Sequence, residues 1–430
     1  MSLTRGQLAA YAVPALPMAA MYFPIYVLVP PFYATELGLS VGAIGAVLIA
    51  IRLFDAVSDP VMGWLSDRTP GRFGRRRPWM ALATPVVMLA ILALMMPGED
   101  AGIGWFAWSL LALTLGWTAY LTPYYAWGAE LSGLYEERST ITIWRESFGL
   151  VGTILAALLY GIAEPGSGLR NVALFVAVAL PFATLWALRR VGEPPSLSKT
   201  PTKLSGVITA LREEAIFRRL LYAYIINGSA NALPAVLFLF FVEFRLGGSE
   251  QVGGLLLVLY FGAAVAAAPF WLWAAARFEK HRIWCLSMLY ACLVFTAVLF
   301  LREGDILAYG VIVVLSGASL GADLSLPPAI QADVVDLDTA RSGQQRTGAL
   351  FAIWSIATKA SVALMGGVAL LVLEVAGFSG EGSNGPGALW TLTILYAAVP
   401  IALKLWSVWL MWRFPLDRAM QADIRARAEA

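Results

Sequence analysis

Arg52, Asp55 and Asp59 are spaced i, i+3 and i+7, so a helix through them carries a guanidinium and two carboxylates along one face. They interrupt an apolar stretch, Val41 to Leu65, that is long enough to cross a bilayer. An ionised group at mid-membrane costs roughly 2.5 to 3.5 kcal/mol even on the gentlest insertion scales, so these three face a water-filled cavity or a partner. Two carboxylates one turn apart bind a hard cation through oxygen or take up a proton, and neither task needs covalent chemistry. A structural ion-pair cluster with Arg52 is the plainer alternative.

Membrane spans are the elements that must hold this face in place. Hydrophobic residues make up 59% of the 430, charged residues 13%, and the mean hydropathy is +0.73, which excludes a soluble globule and with it a soluble enzyme. The net charge of +2 says little, because the placement of charge carries the information. Cys285 and Cys292 share one apolar segment and leave neither a disulfide framework nor a metal cluster; the lone His281, in a basic loop, adds no metal role. Met1 to Gln7 leads into an apolar segment without a small-residue cleavage pattern, so an uncleaved first span is expected.

The hydropathy pattern predicts twelve spans. They run near Leu8 to Thr35, Val41 to Leu65, Pro78 to Pro97, Ile103 to Tyr125, Ile141 to Ala163 and Asn171 to Leu188. The second six run near Leu220 to Phe244, Val252 to Ala276, Ile283 to Leu301, Ile306 to Ala329, Gly348 to Leu373 and Ala388 to Trp412. The expected organisation is all-α: a six-helix bundle over 1–189 with the cation site, a cytoplasmic linker over 190–219, and a second bundle with a tail over 220–430. Pro14, Pro17, Pro24, Pro30 and Pro31 crowd the first span, where proline frees backbone carbonyls for a ligand, a hinge or a simple bend.

The halves repeat. A shift of 209 positions carries Leu37, Gly38, Ser40, Gly45, Leu48, Pro60, Trp64 and Arg68 onto Leu246, Gly247, Ser249, Gly254, Leu257, Pro269, Trp273 and Arg277. The same shift carries Arg52, Asp55 and Asp59 onto Phe261, Ala264 and Ala268, so the scaffold is duplicated and the charges are not. Duplicated bundles suit alternating access around a site near the membrane midplane. Arg52, Arg145, Lys359 and Lys404 lie within spans, and only Arg170, Arg245 and Arg302 lie on the side opposite the termini, so both termini should be cytoplasmic. The run Arg72, Arg75, Arg76, Arg77 reads as a topogenic loop rather than a nucleic-acid or lipid patch.

The block from Arg52 through Asp55, Ser58, Asp59, Pro60 and Gly63 to Asp67 and Arg68, closed by Gly74 to Pro78, resembles the second-helix signature of the glycoside-pentoside-hexuronide:cation symporters of the major facilitator superfamily. Pro123 and Tyr124, Gly128 to Leu131, Glu137 and Arg138, Arg145, Asp333 to Asp336 and Lys359 extend the likeness over nearly the whole chain. The resemblance implies a major facilitator fold of twelve transmembrane helices in two pseudo-symmetric bundles. It implies a cation site of Asp55, Ser58, Asp59 and Thr118, with Asp55 and Asp59 as the metal ligands if the ion is sodium. Ser58 replaces an amide found in the family, which leaves sodium against proton open. It also implies substrate contacts at Tyr125, Arg145 and Lys359, with Arg52 and Lys359 as a charge network around the carboxylates.

Positions where the family's galactoside carriers have a lysine and two carboxylates are here Met18, Ala19 and Leu121, which argues against a galactoside. Asp67, Arg68, Glu130, Arg138, Asp333 and Arg346 read as cytoplasmic gate contacts. Asp323, Glu146 and Glu243 are ambiguous between function and packing, and Asn227 with Asn231 reads as interhelical glue. The expected protein is a monomeric inner-membrane symporter for a small solute, coupled to Na+ or H+, in contact with membrane lipid, with no organic cofactor and no nucleic-acid partner. A lysolipid or amphiphile transporter and a non-transporting receptor or assembly factor are the alternatives.

Overall fold

The computed structural model describes residues 3–69, 73–132, 135–164, 166–192, 214–342, 347–380, 384–416 and 420. Regular structure among the described residues is helical. The first half contributes α1 (Arg5–Ala12), α2 (Ala15–Val27), α3 (Val29–Thr35), α4 (Val41–Arg68), α5 (Arg77–Met95), α6 (Ile103–Glu130), α7 (Tyr135–Gly161) and α8 (Gly168–Arg190). The second contributes α9 (Ala215–Phe240), α10 (Glu250–Arg277), α11 (Lys280–Thr296), α12 (Ile306–Ser342), α13 (Thr347–Val375), α14 (Pro386–Thr393) and α15 (Val399–Met411). Wide five-residue π turns continue α9 and join α14 to α15.

Proline chemistry explains the first three helices. Pro14, Pro30 and Pro31 cannot donate to the carbonyls four residues back, and the helix breaks after Ala12 and again at Leu28. Pro24 stays inside α2, where Leu28 still donates to its carbonyl at 2.9 Å. The first span is thus three short helices.

The sequence repeat returns as geometry. Helices α4 and α10 are both 28 residues long, and the 209-residue shift relates both of their ends. Gly38 and Gly247 precede them with φ of 62° and 71°, a left-handed turn that glycine adopts without steric cost. At the far ends Arg68 lies 4.2 Å from the Trp64 ring centre and Arg277 lies 4.4 Å from that of Trp273.

Ten segments among the described residues are long and apolar enough to span a bilayer. Helices α6 and α13, of 28 and 29 residues, also have the length, although Trp105, Trp108, Trp117 and Trp127 dilute the hydropathy of α6. Helix α12 exceeds expectation: 37 residues rise about 55 Å, well beyond a hydrocarbon core of about 30 Å, so one end stands clear of it. Leu293, Phe300 and Trp409 are 75%, 76% and 73% exposed, which suits a helix surface bathed in lipid and no water-facing one.

The chain divides into two compact units. The first takes Met1–Lys199 with Ser249–Leu255 and Leu370–Asn384, the second Thr200–Gly248, Leu256–Ala369 and Gly385–Ala430. In the first, α5 packs on α6 and α8, α2 on α7, and α4 on α6; in the second, α9 packs on α15 and α11 on α12 and α15. Glycine permits the closest approach of α2 to α7, since a Cβ on Gly152 would overlap the Leu16 carbonyl.

Candidate functional site

Helix α4 presents Asp55 buried and Asp59 half-buried toward α6, which supplies the fully covered Thr118. The Thr118 hydroxyl lies 3.0 Å from Asp55 Oδ1 and 3.0 Å from Asp59 Oδ1. One hydroxyl has one hydrogen, so it donates to one carboxylate while the other contact sets two lone-pair-bearing oxygens together. A cation among these oxygens, or a proton shared with them, relieves that arrangement. Arg52 Nη1 pairs with Asp55 Oδ2 at 3.0 Å. Ser58 donates to the Asp55 carbonyl at 3.3 Å, one turn back along its own helix, which leaves the hydroxyl oxygen's lone pairs available. Three of the cation-site residues expected from sequence, Asp55, Asp59 and Thr118, therefore converge on one patch between α4 and α6, while Ser58, among the described residues, bonds only the backbone of its own helix. Among the described residues no group of three or more His, Cys, Asp or Glu comes together.

Of the expected substrate residues, Tyr125 and Arg145 meet: the guanidinium lies 4.4 Å from the Tyr125 ring centre. Arg145 also donates from Nε at 3.1 Å and from Nη2 at 2.7 Å to Glu146 Oε1, its sequence neighbour. Two of its nitrogens are thus engaged by a carboxylate of the same helix. Lys359 has its side chain outside the described residues, and so do Arg138 and Arg346.

The expected gate residues fall into separate clusters. Arg76, between α4 and α5, bonds Asp67, bonds Glu130 at 2.9 Å and donates to Ser66 at 2.6 Å, while Arg75 reaches Glu130 at 3.2 Å. Burial works against the Arg76 charge, but the hydrogen bond and field of Glu130, reinforced by Asp67, hold its pKa above the ordinary arginine value. Arg68 stacks on Trp64 instead. In the second unit Asp333 pairs with Lys280 at 2.6 Å. Each unit thus ties the end region of a long helix (α6 or α12) to the start of a neighbour (α5 or α11).

A further polar cluster lies in the second unit. Asp323 on α12 accepts Trp284 Nε1 at 2.8 Å on Oδ1, and on Oδ2 accepts Lys404 Nζ at 3.0 Å and Asn231 Nδ2 at 3.1 Å. Lys404 donates as well to Asn227 Oδ1 at 2.9 Å. Five residues from α9, α11, α12 and α15 share one network, with the Asp323 and Lys404 side chains only 6% and 11% exposed. In the sequence Asp323 stands alone, Asn227 and Asn231 pair as interhelical glue, and Lys404 reads only as lying within a span. The signal available was one acid and one base, each isolated in an apolar span, which is costly unless they meet.

Residues 10–418 match the family described as MFS/sugar transport protein. The chain is 23% identical to an uncharacterized symporter of Synechocystis sp., over 93% of this chain and 92% of that protein. It is 24% identical to the sodium-dependent lysophosphatidylcholine symporter 1 of Gallus gallus, over 91% of this chain and 81% of that one. Among solved structures it resembles a bacterial homolog of the human lysosomal transporter Spinster, with a TM-score of 0.69 at 15% identity, over 99% of this chain and 97% of that one. The family match and the ten apolar spans among the described residues describe a multi-pass membrane transporter, and the solved structure shares its fold.

Proposed function

Since the chain belongs to the MFS/sugar transport protein family, we propose that it is a secondary active symporter in which Na+ or H+ binds at Asp55, Asp59 and Thr118, with Ser58 beside them. The observation that carries this reading is the Thr118 hydroxyl set 3.0 Å from an oxygen of each carboxylate, a cradle that one positive charge completes. Occupancy of the cradle lowers the charge of α4, and a solute then moves by alternating access of the two bundles, 1–189 and 220–430, joined by the 190–219 linker. No covalent step is involved. Within the major facilitator superfamily the reading favours the glycoside-pentoside-hexuronide:cation group, on its second-helix block, and a sugar or glycoside derivative as solute. Tyr125, Arg145 and Lys359 are proposed to contact it. The protein works as a monomer in the inner membrane with both termini cytoplasmic, without organic cofactor or nucleic acid, and Asp67, Arg68, Glu130, Arg138, Asp333 and Arg346 serve its cytoplasmic gate.

A lysolipid solute is the second reading. The chicken relative is named as a lysophosphatidylcholine symporter, and Met18, Ala19 and Leu121 offer no charge where a galactoside site needs it. Uptake into proteoliposomes under an imposed sodium or proton gradient tests the proposal. Accumulation of a glycoside or a lysolipid that follows one gradient and vanishes in Asp59→Asn supports it; accumulation unchanged in that variant refutes the site.

A further inference from the structure

Arg52 makes less use of its charge than its surroundings demand. Its side chain is only 9% exposed, and Nη1 is committed to Asp55 at 3.0 Å. Nη2 is buried and, among the described residues, has no acceptor within hydrogen-bond distance. An unsatisfied buried N–H is costly, more so on a charged group, so a buried guanidinium in this condition is poised for an acceptor. Around it lies an aromatic wall. The guanidinium is 4.5 Å from the ring centre of Tyr26, whose ring is 5.0 Å from that of Tyr22, which is 5.3 Å from that of Trp117. Helices α2, α4 and α6 thus bring one incompletely bonded cation and three aromatic rings together within the first unit. Arg145, by contrast, already spends two nitrogens on Glu146.

We infer that Arg52, with Tyr26, Tyr22 and Trp117, forms an anion subsite for the solute, which holds the carboxylate of a uronoside or the phosphate of a lysophospholipid. Both ligands present a planar or tetrahedral group of oxygens that accept in pairs from a guanidinium fork, and both carry an apolar surface for the rings. The inference rests on the reading that a cation binds at Asp55 and Asp59. A cation on Asp55 competes with Arg52 for the same carboxylate, so cation loading releases Nη1 and offers the whole fork to an acidic solute. By linkage the solute strengthens cation binding by the same factor. Arg52 thereby joins cation binding to solute binding through one shared partner.

Equilibrium binding by tryptophan fluorescence on the purified full-length protein tests this. The probes are 4-nitrophenyl β-D-glucuronide, the matched neutral glucoside and lysophosphatidylcholine, each in sodium chloride, in choline chloride, and in choline chloride at a lower pH. The wild type should favour the glucuronide over the glucoside, or bind the lysolipid, only with the cation present, and the probe that responds names the source of the anion. Arg52→Gln should lose about tenfold to a hundredfold in affinity for that acid, the worth of a charged hydrogen bond. Sodium binding, read as cation-induced thermal stabilisation without solute, should persist or tighten in Arg52→Gln because its competitor is gone. Arg52→Lys keeps the charge and loses the fork, and stands in if the glutamine variant does not fold; its affinity for the acid should fall as well. An Arg52 variant that folds and keeps the wild-type preference for the acid overturns the subsite. So does a wild type that binds neither acid more tightly than the glucoside. Cation-induced stabilisation that survives in Asp59→Asn instead refutes the cation reading, a result separate from the acid preference.

Discussion

Lys404→Met removes the one cation bonded to Asp323 among the described residues and leaves the methionine side chain close to the lysine in length. At 3.0 Å, with an effective dielectric of about 20, the lost attraction is roughly 5 to 6 kcal/mol, of which part is offset because the ammonium no longer has to be dehydrated. Trp284 and Asn231 still donate to the carboxylate, so its charge is not left bare. Breaking one partner of a buried pair costs about 3 to 5 kcal/mol, and the Asn227 oxygen loses its donor besides. At about 2 to 4 °C per kcal/mol the unfolding midpoint should fall by on the order of 10 °C. Asp323→Asn keeps an oxygen for Trp284 and strands the ammonium, so it should cost a comparable amount. The double variant removes both charges and should be markedly milder than the sum of the two, with a coupling of about 2 to 5 kcal/mol. Thermal unfolding in detergent, followed by tryptophan fluorescence, reads all three. A Lys404→Met midpoint within a few degrees of wild type, or an additive double variant, would show that the network contributes little and that the argument from burial is wrong.

Asp59→Asn should abolish uphill solute accumulation in proteoliposomes while the unfolding midpoint stays near that of wild type; full gradient-driven accumulation would sink the coupling site. Asp55→Asn loses the partner of Arg52 as well, so both transport and thermal stability should fall, the latter by roughly 1 to 3 kcal/mol. Gly152→Ala forces a methyl against the Leu16 carbonyl and should destabilise the α2–α7 contact by about 1 to 3 kcal/mol or more, visible as a lower midpoint and reduced yield. Arg76→Gln should destabilise the first unit, because Asp67 and Glu130 lose their shared cation, and high salt should shrink the difference since Asp67 is half exposed. An unchanged midpoint at low salt would count against that contact.

Local pattern was enough for most of the helices. Val41 to Leu65 reads as a span from its apolar run alone, and α4 adds only the turn to Arg68. The repeat, legible as letters 209 positions apart, returns in the structure as equivalent turns at Gly38 and Gly247 and as equivalent stacking of Arg68 and Arg277 on tryptophans, the latter in place of the gate contact expected of Arg68. The shared face of Arg52, Asp55 and Asp59 follows from helical periodicity, which depends on neighbours within two turns. Proline spacing leaves the first span open between a break, a hinge and a bend, and only the structure divides it at Ala12 and Leu28. Contacts between helices obey no such period. Thr118 was placed by family resemblance, and its position between two carboxylates came only from the packing of α6 on α4. Asp323 and Lys404 are 81 residues apart, and Lys404 and Asn227 are 177 apart, so hydropathy could flag each as costly without saying that they relieve one another. The orphaned Nη2 of Arg52 is likewise invisible in the chain, because whether a buried donor finds an acceptor is decided by every helix around it and not by its own.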